Sequence, residues 1–419
     1  MSTARDLSGA ASIASLLLYS SCVLPAVIGE DLPPEVPPPP ADECLLSRPV
    51  DLLFVVDNSG SMREEQQKLA TAVTSAWNEE SRCRGEELEE LSKYARQNCH
   101  IPVSEWSVKR NAEIYSECGL VERLLALQNQ FHIGVITTDM NDCDNPYGSG
   151  ATRGSRPQRG CLQTSVEAPD LSVVTWQTPE PGRRLAQIIS DVNIYGSAYE
   201  RGLEAMLHFL TPDHDTPPAT ACAEPRDCAQ DLDRFFRVVV QREAAREIET
   251  RLVLVFLTDE DDCSHGGAID ETVSGNTARC YDDPASLVSP TRYANAVDAI
   301  KDMPQLVTPL VIAGLDGSDG AAEAIGCKSI GATVSHDCNP AQGNSVATCT
   351  VCVDEEPVCP CHPELTCPGG SVYPATNCCQ ADAASRYLDF GRAFSYARYG
   401  SICKPTYEAA VAALLDYDL

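Results

Sequence analysis

The residues best suited to chemistry lie in one short loop, Asp57-Asn58-Ser59-Gly60-Ser61, directly after an apolar stretch. In an extended loop, residues two apart project to the same side, so Asp57, Ser59 and Ser61 can converge on one point. One carboxylate and two hydroxyls are hard oxygen donors, which suit Mg²⁺, Mn²⁺ or Ca²⁺ rather than zinc. The loop is also consistent with a plain helix N-cap, in which Ser59 or Ser61 caps a helix that begins at residue 62.

Two further acidic stretches each have two interpretations. The acids of residues 260–262 predict either a second cation site, of the Ca²⁺ kind, or a solvated loop that Cys263 pins. Residues 139–144 have the composition of a Ca²⁺ loop but lack the glycine and glutamate of an EF-hand, so a turn held by Cys143 is the alternative. The oxygen-bearing side chains of that second stretch are Asp139, Asn141, Asp142 and Asp144.

Signatures of catalysis do not emerge from the sequence. Its seven histidines form no H-E-x-x-H pair, no G-x-S-x-G elbow precedes a helix, and no glycine-rich loop is suited to a phosphate. His132 lies within a predicted strand, where a structural role is the simpler interpretation. We therefore expect a protein that is not an enzyme, with a hydrolytic site inside an insertion as the minor alternative.

The apolar patterns predict strands separated by helices. In residues 62–80, for example, Leu69, Val73 and Trp77 fall on one helical stripe. Strands that alternate with helices predict an α/β fold, a doubly wound, mainly parallel sheet with helices on both faces. Strands are expected at 51–57, 131–138, 173–176, 251–258 and 306–314, and helices at 62–80, 182–191, 199–210, 231–248, 291–302, 382–394 and 406–416.

Twenty-one cysteines among 419 residues indicate an oxidising compartment, because most lie in stretches rich in Gly, Pro and Asp. The alternative is a set of reduced thiols or zinc knuckles in a cytosolic protein. We interpret the cysteine-bearing stretches as disulfide-rich insertions on one scaffold, at residues 83–118, 140–165, 211–230, 261–285 and 316–380. Short-range pairs such as Cys143 with Cys161 or Cys222 with Cys228 are candidates that the sequence does not decide.

The amino terminus predicts export. Residues 8–21 form a short apolar segment that ends in small residues before Cys22, so residues 1–21 fit a cleaved signal peptide. A cysteine in that place is typical of a lipidated bacterial protein, with plain secretion as the alternative. Residues 22–43 are a Pro-rich linker of polyproline II type, and the folded domain is expected to span residues 44–419.

The net charge of the chain narrows the choice of partners. A formal charge of −30 repels nucleic acid and anionic membrane surfaces, so neither is expected to bind. Attachment to a membrane is expected only through a lipid on Cys22.

The stretch FVVDNSGSM, residues 54–62, resembles the metal-ion-dependent adhesion site of von Willebrand factor type A domains. In that family, a threonine in a Gly-x-Thr turn and an aspartate after a very apolar strand complete the site. Here Ser197 takes the threonine's place, five residues before Gly202, and Asp259 follows the apolar stretch VFLT. Glu260 replaces the usual glycine after that aspartate. The resemblance covers residues 50 to about 415, between the insertions, and implies the type A fold.

This resemblance also implies a mechanism. A divalent cation, Mg²⁺ or else Mn²⁺ or Ca²⁺, would keep one coordination position for a carboxylate of a protein partner. The hydroxyls would contact the ion directly and the carboxylates directly or through water, the five residues being Asp57, Ser59, Ser61, Ser197 and Asp259.

The combination of FVVDNSGSM, FHIGVITTDM and VFLTDEDDCS further resembles surface lipoproteins with type A domains of the myxobacterial kind. It implies an outer-membrane or cell-surface location, or secretion. The function expected is a cation-dependent adhesion module of the cell envelope. The alternatives are a structural envelope protein, in which the metal and the disulfides only stabilise the fold, and an accessory subunit that presents a substrate to an enzyme or channel.

Overall fold

The structure is a computed structural model, and all structural statements below concern the residues that it describes. These are 49–75, 81–98, 106–127, 130–140, 160–192, 194, 196–197, 199–211, 235, 250–271, 273, 275–301, 306–315, 352–353, 356–357, 381–404 and 406–415. The predicted signal peptide and linker lie outside this set. So do most of the predicted helix 231–248 and most of the insertions 140–165, 211–230 and 316–380, with Cys143, Cys222 and Cys228.

A six-stranded sheet joins stretches of chain that are distant in sequence. Its strand order is β3-β2-β1-β4-β5-β8, and every neighbouring pair is parallel except β2 and β3. The strands are β1 (Val50–Val56), β2 (Phe131–Thr137), β3 (Val174–Thr175), β4 (Arg251–Leu257) and β5 (Val307–Ala313), a separate antiparallel pair of β6 (Cys352–Val353) and β7 (Glu356–Pro357), and β8 (Arg398–Ser401). The five predicted strands are confirmed, whereas β8 was not predicted.

Helices connect most of these strands, which confirms a mixed α/β fold. None of the helices in the described ranges is both long and apolar enough to cross a bilayer. The helices are α1 (Arg63–Val73), α2 (Gly85–Gln97), α3 (Lys109–Glu117), α4 (Leu120–Ala126), α5 (Pro181–Asp191), α6 (Gly202–Leu210), α7 (Arg279–Asp282), α8 (Pro290–Lys301), α9 (Ser385–Gly391) and α10 (Glu408–Ala412), with 3-10 turns at Asn276–Ala278 and Pro284–Ser286.

Strand β1 is buried along its whole length, as its run of apolar residues predicts. Successive side chains of a strand point to opposite faces of the sheet. Leu52, Phe54 and Val56 belong to a core cluster with residues of α1, α4, α5 and α10. Leu53 and Val55 belong to a second cluster with residues of α6, α8 and α9. The central strand is therefore held by apolar packing on both sides.

Helix α1 ends earlier than its sequence suggests, so the prediction of a helix to residue 80 is wrong. It stops at Val73, and Thr74 is extended, with φ −148° and ψ 139°. The Glu122 carboxylate on α4 accepts hydrogen bonds from the Thr74 hydroxyl at 2.6 Å and the Ser75 amide at 3.1 Å. These bonds hold the chain away from helical geometry. Trp77 lies outside the described residues.

The insertion 83–118 is largely helical, which the sequence analysis did not predict. It carries α2 and α3, and a disulfide between Cys83 and Cys118 closes it. Trp106 packs edge-on between Tyr94 and Tyr115, with ring centroids 5.2 and 5.3 Å apart. This small core is separate from the two clusters at the sheet.

A second disulfide, Cys263–Cys280, lies within the predicted insertion 261–285. Cys161 and Cys403 are disulfide-bonded as well. Loops of 17 and 35 residues, closed by Cys263–Cys280 and Cys83–Cys118, correspond to about 3 and about 4 kcal/mol of stabilisation in the chain-entropy account. Disulfide-stapled insertions are therefore confirmed for these two stretches.

The start of α6 tolerates no side chain, and this gives a test of the packing. A Cβ at Gly202 would overlap the Tyr387 hydroxyl oxygen. We expect Gly202→Ala to lower the melting temperature, at a cost of about 1 to 3 kcal/mol for overpacking. Tyr387→Phe in the same chain should recover part of the loss, because the ring carbon Cζ would lie 3.1 Å away. Thermal unfolding of the single and the double variant measures this effect. If Tyr387→Phe does not raise the melting temperature of Gly202→Ala, the contact between residue 202 and the Tyr387 hydroxyl is contradicted.

Candidate metal centre

The sheet register brings three separate stretches of chain to one edge. Val56, the last residue of β1, pairs with Thr137 of β2 and Leu257 of β4. The ladder continues one residue further, because the Asp57 amide donates to the Leu257 carbonyl at 2.9 Å. Asp57 therefore lies at the carboxyl edge of the parallel sheet, where open α/β sheets bind ligands.

The Asp57 carboxylate is completely buried, although it is a charged group. Its Oδ1 accepts a hydrogen bond from the Ser59 amide at 2.7 Å, and its Oδ2 accepts one from the Thr258 hydroxyl at 2.9 Å. Burial raises the pKa of Asp57 to about 8, helped by the negative charges of Asp259 and Glu260, while the two hydrogen bonds lower it. Asp259 lies two residues beyond Leu257, the β4 partner of Val56, and so follows the strand next to β1.

Ser59 and Ser61 converge, as their spacing predicts. Their hydroxyl oxygens lie 3.1 Å apart, Ser59 is partly exposed and Ser61 is exposed. The alternative interpretation, a serine N-cap, is wrong because the N-cap of α1 is Met62 and no side chain caps the helix. The two hydroxyls are therefore not used in starting the helix.

Ser197 is buried in the loop before α6, and its neighbours hold that loop against the first one. Its amide donates to Asp139 Oδ2 at 3.1 Å, and its hydroxyl accepts from the Tyr199 amide at 3.1 Å. The Gly196 amide donates to the Asn58 carbonyl at 2.9 Å. Ser197 thus bonds to Asp139 and Tyr199 rather than to the other four predicted residues. Asp139 supports this loop, and the other acids of 139–144 lie outside the described residues.

Asp259 follows β4 and is 3% exposed. Its carbonyl accepts a hydrogen bond from the Asp382 amide at 2.7 Å, which ties the residue to the segment before α9. The structure therefore places Asp57, Ser59 and Ser61 together, puts Asp259 after the strand next to β1, and links Ser197 through its loop.

Two of the acids that follow Asp259, Asp261 and Asp262, form hydrogen bonds and an ion pair within the protein. Asp262 is 1% exposed, so the interpretation of a solvated loop is wrong for this residue. Its carboxylate accepts from the Leu203 amide at the start of α6 at 3.0 Å and pairs with Arg386 at 3.0 Å. Asp261 accepts from the Arg386 amide at 2.9 Å, and burial raises the pKa of Asp261 to about 7. Asp262 therefore joins α6 to α9, and Asp261 binds the start of α9.

Sequence reasoning missed Glu200, a carboxylate at the same edge. It is 1% exposed and accepts a hydrogen bond from the Thr138 hydroxyl, which follows β2. Burial raises the pKa of Glu200 well above its usual range, and the charges of Asp57 and Glu260 add to that rise. The available signal was an acid placed directly before an apolar helix, in the motif that already supplied Ser197.

The donor set here is unusual for a metal site. Across the described stretches, no three side chains of His, Cys, Asp or Glu are grouped so as to hold a metal ion. The predicted set relies instead on two carboxylates and three hydroxyls. Such oxygens suit a hard divalent cation, and the buried Asp57 carboxylate is a group that such a cation would neutralise.

Comparison with models of known protein families finds no match to this chain, and comparison with curated proteins finds none either. The relation to type A domains therefore stays a prediction from the motifs.

The raised pKa of Asp57 predicts how stability depends on pH. The folded chain binds that proton more tightly than the unfolded chain, whose ordinary value is 3.8. The free energy of unfolding of chelator-treated protein should therefore fall as pH rises from about 4 to about 8. Added Mg²⁺ competes with the proton, so the increase in melting temperature that it causes should grow over the same window.

Asp57→Asn should flatten both trends, whereas Asp170→Asn, at an exposed position, should leave them unchanged. Thermal melts across pH, with and without chelator, provide the measurement. Parallel trends in Asp57→Asn and the unaltered chain would contradict the assignment.

Proposed function

We propose that this protein binds a divalent cation at the carboxyl edge of its sheet and uses the ion to capture an acidic residue of a protein partner. The ligands would come from Asp57, Ser59, Ser61, Ser197 and Asp259, directly or through water. The proposal includes the doubly wound arrangement of a von Willebrand factor type A domain. It also includes an exported, cell-surface setting, with lipidation at Cys22.

One observation carries the proposal: two buried carboxylates, Asp57 and Asp259, follow the adjacent parallel strands β1 and β4. A buried ionised carboxylate is costly unless a proton, an ion pair or a metal compensates it. Among the described residues, no basic side chain forms an ion pair with Asp57. Its two hydrogen bonds come from neutral donors, an amide and a hydroxyl. A divalent cation would supply the missing positive charge.

The exposure pattern supports capture of a partner rather than a closed structural ion. Asp57, Asp259 and Ser197 are buried, whereas Gly60 and Ser61 face solvent. An ion bound among these groups would contact the buried residues on its protein side. A partner could reach it from the solvent side, where Gly60 and Ser61 lie. Hydroxyl ligands carry no charge, so the ion would keep affinity for an added carboxylate.

The sheet topology supports the fold assignment. Strand β1 lies between β2 and β4, and the first and third predicted motifs follow the neighbouring strands β1 and β4. The Ser197 loop lies immediately before α6, which packs against residues of β1. This is the order and placement that the three motifs of the type A family imply.

The alternative interpretation is that the ion at this site only stabilises the fold and captures no partner. It requires the loops to depend on the ion for their positions. Yet the loops are tied by bonds that involve no ion: Gly196 to Asn58, Ser197 to Asp139, and Asp382 to Asp259. This network favours a site that persists without metal and is available for exchange with a partner.

We expect the full chain to bind Mg²⁺ or Mn²⁺ and to retain an envelope partner only when the cation is present. Asp57→Ala and Asp259→Ala should each abolish cation binding and partner capture. In chelator, their melting temperatures should stay near that of the unaltered chain, because the loops that carry both residues are tied by hydrogen bonds that involve no ion. Calorimetric titration measures binding, and a pull-down from envelope extract with and without chelator measures capture.

Two results would count against this proposal. A chain that binds no divalent cation has no adhesion site. Cation binding without cation-dependent capture, together with a large loss of stability in both variants, would favour the structural interpretation. Asp170→Asn, an exposed acid, serves as the matched control and should behave like the unaltered chain in all three measurements.

A further inference from the structure

Within the described part of the chain, one oxygen of the buried Glu200 carboxylate accepts no hydrogen bond. Its side chain is 1% exposed, and Oε2 accepts the hydrogen bond from the Thr138 hydroxyl. No donor among the described residues reaches Oε1, which is itself buried. A carboxylate oxygen that is neither solvated nor hydrogen-bonded is costly, so this atom calls for a partner.

Glu122 shows how the same chain treats a buried glutamate that is purely structural. Its Oε1 accepts from the Thr74 hydroxyl at 2.6 Å, and its Oε2 accepts from the Ser75 amide at 3.1 Å. Both oxygens are therefore satisfied by protein donors. Glu200 has the equivalent threonine bond but lacks the second donor, and this difference sets it apart from a residue that only packs.

A second unpartnered polar atom lies close to Glu200. The Tyr387 side chain is completely buried, and its hydroxyl has no hydrogen-bond partner among the described residues. A Cβ placed on Gly202 would overlap that hydroxyl and lie 3.2 Å from Thr138 Cγ2. The Tyr387 hydroxyl therefore lies beside Thr138, the residue that holds the Glu200 carboxylate.

The charges around Glu200 point toward the proposed cation. Among its neighbours, the Asp57 carboxylate raises the pKa of Glu200 most. The adjacent Arg201 does not compensate it, because the guanidinium binds Glu204 and Glu271. Within the described residues, Glu200 forms no ion pair with a basic side chain. The Thr138 amide donates to the Val56 carbonyl at 3.3 Å, so the threonine that binds Glu200 lies beside the strand end that carries Asp57.

We propose that Glu200 holds a water molecule bound to the cation at the Asp57 site, with Oε1 accepting a hydrogen bond from that water. This inference rests on the proposed function and adds a positioning residue to it. The Tyr387 hydroxyl would bond to the same hydration shell. Mg²⁺ loses its waters reluctantly and usually keeps several when bound to protein. A carboxylate that accepts from such a water stabilises the hydrated ion, so the site is suited to Mg²⁺.

The test is calorimetric titration of the full chain with Mg²⁺ alone, comparing Glu200→Gln with the unaltered protein. Glutamine keeps an oxygen for Thr138 but removes the charge and one acceptor. We expect the affinity for Mg²⁺ to fall about 10- to 100-fold, the range found when outer-shell acceptors of metal sites are removed. In chelator, Glu200→Gln should melt no lower than the unaltered chain, since burial raises the pKa of Glu200 and already favours its neutral form there.

Glu122→Gln is the matched control, because it changes a glutamate of similar burial that also accepts from a threonine hydroxyl. It should lower stability and leave the Mg²⁺ affinity unchanged. If Glu200→Gln does not fold, Thr138→Val removes the hydroxyl that orients Glu200, and Thr74→Val is its control. Thr138→Val should weaken Mg²⁺ binding, and Thr74→Val should not.

The outcomes separate the two proposals. If Asp57→Ala abolishes Mg²⁺ binding while Glu200→Gln and Thr138→Val bind as the unaltered chain does, the role of Glu200 is overturned and the cation site stands. If the unaltered chain binds no Mg²⁺, the cation site fails and the role of Glu200 fails with it.

Discussion

The arrangement at the edge of the sheet depends on the burial of one carboxylate, that of Asp57. It follows the central strand β1, where apolar packing on both faces excludes water. Hydrogen bonds from an amide and a hydroxyl lower the energy of the charge but do not cancel it. Burial, together with the negative charges of Asp259 and Glu260, raises the pKa of Asp57, so this carboxylate favours a proton or a cation. The apolar core that orders β1 also buries Asp57, and this burial is why the carboxylate requires a positive charge.

The loops that surround this carboxylate are fixed by the protein itself. The Arg201 amide donates to the Thr138 carbonyl at 3.1 Å, which joins the start of α6 to the end of β2. Asp262 receives the Leu203 amide from the same helix and the Arg386 guanidinium from α9. An ion that enters such a site does not need to order its ligands first. Less entropy is lost on binding, and the ion can exchange without disturbing the fold.

The sequence predicts the parts of this structure that depend on local pattern. Strands β1, β2 and β4 are apolar runs, and their burial predicts both that they are strands and that they lie inside the sheet. In the loop after β1, the spacing of Asp57, Ser59 and Ser61 predicts that their side-chain oxygens converge. Strand β8 has no such run, since RYGS is short and pairs only at the edge of β5. The end of α1 depends on Glu122, which lies 48 residues beyond Thr74. No local window contains that contact.

Among the site residues too, those whose geometry is local can be predicted from the sequence and those that depend on distant contacts cannot. Asp57, Ser59 and Ser61 are predictable because their geometry is local, whereas Asp259 required a family pattern. The sequence marks Glu200 only as an acid before an apolar helix, and its unusual environment depends on residues that are distant in sequence. Its environment is set by Thr138, just after β2, and by Tyr387 of α9, and neither is near it in sequence.

The charge of the whole chain constrains any partner of the proposed site. A carboxylate attracted to the ion at contact must first approach a protein of net charge −30. At physiological salt, charges are screened beyond about 8 Å, so the ion attracts only groups that are already close, while the acidic surface repels an acidic partner over the same range. A partner that meets both conditions presents its acidic residue from a neutral or basic surface. Selection by overall charge would then precede selection by the ion, and the two together would give the site more specificity than a single carboxylate contact supplies.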